Sequence, residues 1–142
     1  MKFKEAVTYD DMLIVPQYSD ITSRSEVDIS SRLGHRELRL PVIASPMDTV
    51  SGDKMAIAMY RSGGMAVLHR YNTIAEQAAM AKNVTQVSNW SGQIGAAIGV
   101  TGDFLERSEA LIAAGVDVLC VDVAHGHHAL VKKALEQLRN EY

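Results

Sequence analysis

After residue 40 the chain alternates short apolar runs with stretches of helical spacing. The runs are Pro41-Val42-Ile43-Ala44, Met65-Ala66-Val67-Leu68, Ile94-Gly95-Ala96-Ala97-Ile98 and Val116-Asp117-Val118-Leu119-Cys120-Val121. Apart from Asp117 they are unbroken, not alternating. That predicts strands buried on both faces, as in a parallel sheet. The last is the richest in β-branched residues. The runs start at 41, 65, 94 and 116, which leaves room for one helix after each. Four βα units in a row are therefore predicted, with the strands parallel.

The helical stretches carry their own punctuation. Met55, Ala56 and Met59 share a face of the first. Thr73 and Glu76 stand at the spacing of a capping box, and Ile74, Ala78 and Ala81 follow on one face. Asp103 and Glu106 repeat that spacing before Phe104, Leu105, Ser108, Leu111 and Ile112, and Gly115 is placed to end that helix in the left-handed conformation. In the fourth, Leu130, Val131, Ala134 and Leu138 oppose Lys132, Lys133, Glu136 and Arg139.

Residues 1–40 lack this order. Met12-Leu13-Ile14-Val15 is stopped by Pro16, and 17–32 is polar with little periodicity. This part reads as a surface arm or loop with room for one short strand. The expected division is an irregular arm at 1–40 and four βα units at 41–142.

Composition narrows the function classes. The 142 residues are 47% hydrophobic and 22% charged, which excludes disordered and collagenous classes. No apolar run approaches the ~18 residues of a membrane span, and the N-terminus lacks the apolar core of a secretory signal. The net charge of −3 comes without a basic block, so no nucleic-acid partner is expected. One cysteine, Cys120, excludes an internal disulfide and a Cys-rich zinc site. A reducing cytoplasm is the natural compartment.

The unusual residues gather just after each strand. They are Ser45-Pro46-Met47-Asp48-Thr49, His69-Arg70-Tyr71-Asn72, Gly99-Val100-Thr101-Gly102-Asp103 and Asp122-Val123-Ala124-His125-Gly126-His127-His128. In parallel α/β proteins these turns share one face, where ligands bind. Each has a plainer reading. Asp48 and Asp103 read equally as helix caps, and Gly99 and Gly102 as a tight turn. They form neither a Walker A nor a G-x-G-x-x-G pattern. His125, His127 and His128 lack a partner carboxylate or cysteine at a metal-site spacing, so no metal is expected. Cys120, among Val and Leu, reads as a buried and unreactive thiol. Asp122 is costly at the end of an apolar strand unless it has a partner or a task.

These segments also resemble the IMP dehydrogenase / GMP reductase family, in order along almost the whole chain. The matching stretches run from Thr8-Tyr9-Asp10-Asp11-Met12-Leu13-Ile14-Val15-Pro16 through Ser23-Arg24-Ser25-Glu26-Val27-Asp28. They continue in Ala44-Ser45-Pro46-Met47-Asp48-Thr49-Val50, Gly63-Gly64 and Leu68-His69-Arg70. The strongest pair is Gly95-Ala96-Ala97-Ile98-Gly99-Val100 with Ala114-Gly115-Val116-Asp117 and Val121-Asp122-Val123-Ala124-His125-Gly126-His127.

The resemblance implies the N-terminal half of a (βα)8 barrel that oxidises or reduces a purine nucleotide, IMP or GMP, with NAD or NADP. It assigns nucleotide packing to Ser45 and Met47, and the nicotinamide ribose to Asp122. Val123 and Ala124 would flank the nicotinamide, and His69 and Arg70 would face the cofactor. A complete barrel of this type runs ~250 residues. The family's catalytic cysteine loop, its phosphate-binding loops, its mobile flap and the monovalent-cation site of the complete enzyme would all lie beyond Tyr142. No catalytic residue is therefore expected in this chain, and the isolated chain is expected to be inactive. IMP oxidation to XMP with NAD is the first expectation, and GMP reduction to IMP with NADPH the alternative. The Ser45-to-Asp48 motif and the 95–127 segment stand closer to the dehydrogenases. Asp122-Val123-Ala124, and the short connection at 82–93 in place of a regulatory insert, stand closer to the reductases. A non-catalytic alternative is a half-barrel that pairs its open edges with a second copy, or with a missing C-terminal half.

Overall fold

The computed structural model describes residues 3–87 and 93–142. Four parallel strands form one sheet in chain order: β3 (Ile43–Ala44), β4 (Met65–Leu68), β5 (Gly95–Ile98) and β6 (Val118–Val121). Helices α1 (Asp53–Ser62), α2 (Ile74–Thr85), α3 (Phe104–Ala113) and α4 (Ala129–Glu141) follow them in turn. The register pairs Ile43 with Met65, Val67 with Gly95, and Gly95 with Val118. Of the short connection at 82–93, residues 88–92 lie outside the described residues.

The two faces of the sheet differ. Ala66, Leu68, Ala96 and Ile98 point to one face, where Ala56, Ala81, Val84, Phe104, Leu111 and Ala134 from all four helices meet them. Met65, Val67 and Ala97 point to the other, with Val118 and Cys120 beside them and no helical residue. Helices on a single face of a parallel sheet are the layering of a barrel wall, not of a doubly wound sheet. The chain thus has the arrangement of half a (βα)8 barrel.

Burial follows from position in the sheet. β4 and β5, the inner strands, are buried throughout, as unbroken apolar runs predict. β6 has the strongest strand pattern, yet every residue in it is half-exposed, because it is an edge with no further strand beside it. β3, the other edge, leaves Ile43 exposed.

Two helix ends behave as the spacing predicts. Thr73 Oγ1 accepts from the Glu76 N–H at 3.2 Å, and Glu76 Oε2 accepts from the Thr73 N–H at 2.8 Å. Gly115 follows α3 at φ +91°, a conformation that strains any other residue. Two caps are corrected. Asp103 is the N-cap of α3 and its carbonyl accepts the Arg107 N–H at 2.8 Å, but its side chain makes no capping bond, because Arg107 takes the carboxylate instead. Asp48 lies in a turn ahead of Gly52, which is the N-cap of α1.

The arm also differs from its expected form. Residues 12–15 form no strand, and Leu13 and Ile14 are each 96% exposed. Two single 3-10 turns, Tyr9–Asp11 and Arg24–Glu26, punctuate the stretch. A hairpin of β1 (Ser31–Leu33) and β2 (Arg36–Leu38) then turns on Gly34, at φ +59°. Leu38 is buried against Met65, Val67 and Ala97 on the helix-free face. Arg36 pairs with Asp117 at 2.9 Å, and Asp117 Oδ2 accepts from the Ile94 N–H at 3.3 Å. Asp117 therefore breaks the apolar run for a structural reason: it anchors the hairpin across the starts of the strands.

Candidate functional site

The four post-strand turns lie at the C-terminal end of one parallel sheet, so they share a face. Three sets of bonds organise it.

The first joins the tips of β4 and β6. Arg70 Nη2 donates to the Asp122 carbonyl at 3.1 Å, and Arg70 Nε lies 3.4 Å from Asp122 Oδ2. The guanidinium crosses in front of β5. Gly99 lies beneath it, and a Cβ there would make only ordinary contact, 3.7 Å from Arg70 Nη1. Asp122 continues the strand pairing, its N–H donating to Ile98 O at 2.9 Å. Arg70 also lies over the Tyr71 ring, 5.7 Å from its centroid.

The second set joins the tips of β3 and β4. Ser51 is fully buried, donates its hydroxyl to the Ser45 carbonyl and accepts the His69 N–H at 3.2 Å. The Ser45 carbonyl also receives the Met47 N–H at 2.8 Å. This fixes a tight loop that presents the Met47 side chain, 51% exposed.

The third set lies beneath the face. Gln77 is fully buried in α2 and donates to Ala97 O at 2.9 Å. Arg107, 7% exposed in α3, donates to Gln77 Oε1 at 2.8 Å, to Asn72 O at 3.1 Å and to Asp103 Oδ2 at 2.7 Å. That hydrogen bond, aided by the arginine's charge, holds the Asp103 carboxyl below the usual aspartate range. The strut thus ties the 69–72 loop, the first turn of α2 and the 99–103 loop into one rigid base.

The expected site residues are distributed as follows. Arg70 and Asp122 are in direct contact. His69 stacks on Tyr71, with ring centroids 6.4 Å apart, and its buried Nδ1 has no hydrogen-bond partner. Val123 is half-exposed and Ala124 exposed beside Asp122, while Ser45 and Met47 are exposed at the far side. No bond given by the structure joins Ser45 or Met47 to Asp122. The site is an open shelf, not a closed pocket.

The histidines and Cys120 of this region are placed as follows. Among the described residues no group of histidines, cysteines and acids could hold a metal. His128 instead caps α4, its Nδ1 accepting the Leu130 N–H at 3.1 Å. Cys120 is half-exposed on the helix-free face, not buried in the core. Desolvation, then the charge of Asp122, push its thiol pKa up, so the unreactive reading keeps a physical basis.

Ser51, Gln77 and Arg107 were absent from the expected set. Gln77 had a signal: it sits one helical turn before Ala81 on the apolar face of α2 with Ile74, Ala78 and Val84.

The sequence matches the IMP dehydrogenase / GMP reductase domain family over residues 6–142. It is 28% identical to an inosine-5'-monophosphate dehydrogenase of Nitrosopumilus maritimus (strain SCM1), over 262 aligned residues covering 99% of this chain and 54% of that one. It is 45% identical to a GMP reductase of Leishmania donovani over 87 residues, 61% of this chain and 18% of the reductase. It is 44% identical over 87 residues to an inosine-5'-monophosphate dehydrogenase of Staphylococcus epidermidis (strain ATCC 12228 / FDA PCI 1200), again 61% of this chain and 18% of the relative. The chain spans about half the length of the relatives it matches end to end.

Proposed function

The chain belongs to the IMP dehydrogenase / GMP reductase family, a family of oxidoreductases, and we propose that it supplies the first half of a barrel that moves a hydride between a purine nucleotide and a nicotinamide cofactor. The observation that carries this reading is the hydrogen bond of Arg70 to the Asp122 carbonyl beside its 3.4 Å ion pair with the carboxylate, which sits at the open tip of β6. No helix among the described residues is long and apolar enough to cross a membrane, and we place the protein in the reducing cytoplasm on its single cysteine.

The shelf suits a nicotinamide nucleotide. The Arg70 contacts leave Asp122 Oδ1 free to accept from a ribose hydroxyl. His69 Nδ1 is a buried polar atom without a partner and can take a further hydrogen bond. Val123 and Ala124 offer small apolar surface for one face of an aromatic ring. The bound cofactor, NAD or NADP, supplies the hydride acceptor or donor. This chain's residues bind and orient. Asp122 holds the ribose, Arg70 fixes Asp122 in place, and Ser45 and Met47 pack against the purine nucleotide. The loop carrying them is held by Ser51.

Both reaction directions fit this half of the site. IMP oxidation with NAD follows from the end-to-end match to a dehydrogenase. GMP reduction with NADPH has a specific observation of its own, the 45% identity to a GMP reductase over 87 residues. The open edges β3 and β6 call for strand partners, either a C-terminal half-barrel or a second copy of this chain. Pairing with a second copy would make a homo-oligomer.

The test is equilibrium binding of IMP, GMP, NAD and NADP to the chain reconstituted with the C-terminal half of a relative. Binding that weakens in Asp122→Asn supports the reading. A reconstituted barrel that binds none of the four overturns it.

A further inference from the structure

At the end of the sheet opposite the shelf, where the strands begin, lies a cleft of about 440 Å³. That volume falls within the range of small-molecule sites. The cleft is built wholly from this chain: Glu37, Leu38 and Arg39 of the hairpin, Tyr60 and Arg61 at the end of α1, the Gly63-Gly64 turn, and Gln93 ahead of β5. Its construction needs both glycines. Gly63 has φ +86°, and a Cβ on it would meet the Arg39 side chain at 3.0 Å. A Cβ on Gly64 would lie 2.8 Å from the Val42 carbonyl. Arg39 is thus seated across the turn.

The polar groups of this cleft are unmatched. Among the described residues neither Arg39 nor Arg61 has an ion-pair or hydrogen-bond partner. Gln93 Nε2 is used, donating to Glu37 O at 3.2 Å, but Gln93 Oε1 is buried without a donor. The lining therefore presents two free guanidinium groups and the Glu37 carboxylate, with the unpaired Gln93 Oε1 buried just beneath the surface.

This mixed lining selects a ligand chemistry. A bare anion would be opposed by Glu37 and by the carbonyl end of α1. A ligand with an oxyanion at one end and hydroxyl donors at the other uses the whole set. Guanidinium groups suit phosphate oxygens, and orphaned acceptors suit hydroxyls. We propose that this cleft binds a sugar phosphate, free or as the ribose-phosphate part of a nucleotide, with Arg39 and Arg61 on the phosphate and Gln93 and Glu37 on the hydroxyls. The site is separate from the shelf, and the proposal does not depend on the reading of the shelf.

Amide chemical shifts of the full chain, titrated with ribose 5-phosphate, test it. Shifts are expected at residues 37–40, 61, 63–64 and 93. Inorganic phosphate alone and ribose alone should each bind at least tenfold more weakly. Arg39→Ala and Arg61→Ala, both at exposed positions, should each weaken binding by about tenfold or more while leaving the rest of the spectrum in place. A nucleoside monophosphate run in parallel distinguishes the free sugar phosphate from the nucleotide: the tighter of the two identifies the source. The proposal is overturned by three results: no shift near the cleft at ~1 mM ligand, shifts confined to residues 69–70 and 122–124, or phosphate binding as tightly as ribose 5-phosphate.

Discussion

Arg70 holds Asp122 at two points, the carbonyl at 3.1 Å and the carboxylate at 3.4 Å, from a strand that is not its neighbour. A pair that crosses the intervening strand β5 adds little to the fold, because both side chains are about one-third exposed. Its effect is on position. Without the arginine, the Asp122 side chain is free to turn, and its backbone carbonyl loses its donor. Arg70→Ala should therefore change stability by no more than ~1 kcal/mol in urea unfolding, while moving the amide resonances of 122–124. A loss of several kcal/mol would make Arg70 a structural residue and remove its positioning role.

The strut beneath the shelf should behave in the opposite way. Arg107 is nearly buried and joins Gln77, Asn72 and Asp103. Removing it leaves Gln77 Oε1 without a donor inside the protein. Arg107→Met should cost about 2–4 kcal/mol, and Gln77→Leu about 1–3 kcal/mol. The double variant should cost less than the sum, because each single change strands the other partner. Urea midpoints of the three variants measure this, and strict additivity would show that the network does not act as a unit.

Asp103 gives the strut a pH signature. The Arg107 hydrogen bond lowers its carboxyl pKa in the folded protein. A folded pKa below the unfolded one stabilises at pH values above the unfolded value. That contribution is lost as pH falls below about 4 and through the folded pKa. The Asp103 carboxyl carbon should thus titrate at a lower pH than an unpaired aspartate, and Arg107→Met should bring it back toward the ordinary range. An unchanged Asp103 titration in that variant would contradict the assignment.

The open edges predict association. β6 is half-exposed along its length, and Ile43 of β3 is exposed at the other edge. A strand edge of this kind pairs with another chain unless it is covered. Light scattering on the purified chain should give a mass above that of the 15.5 kDa monomer. A dimer joined β6 to β3 around a common axis closes eight strands with two-fold symmetry. A stable, well-folded monomer would contradict that pairing.

The sequence reveals some parts of this structure better than others, for physical reasons. The four strands and the Thr73–Glu76 cap are local patterns, so spacing alone exposes them. The hairpin is local too, but only three residues long in each arm, with a single leucine in each; its clearest signal is Gly34 opening a two-residue turn. Arg70 and Asp122 lie 52 residues apart on non-adjacent strands, so no pattern along the chain links them. Gln77 and Arg107 are hidden by the usual assumption that polar helix positions face water. They face each other instead, each burying the other's polarity. Asp103 is legible as the N-cap position of α3, but its pairing with Arg107 is not, because the same carboxylate can serve a cap or an ion pair.

We propose that Asp122, held by Arg70, positions a nicotinamide nucleotide. The most direct measurement is nicotinamide absorbance during turnover, with this chain supplied to the C-terminal half of a dehydrogenase or reductase relative. The account predicts hydride transfer with IMP and NAD or with GMP and NADPH. It further predicts loss of about tenfold or more in Asp122→Asn, with a raised KM for the cofactor. Undiminished turnover in Asp122→Asn, at an unchanged KM, would contradict it.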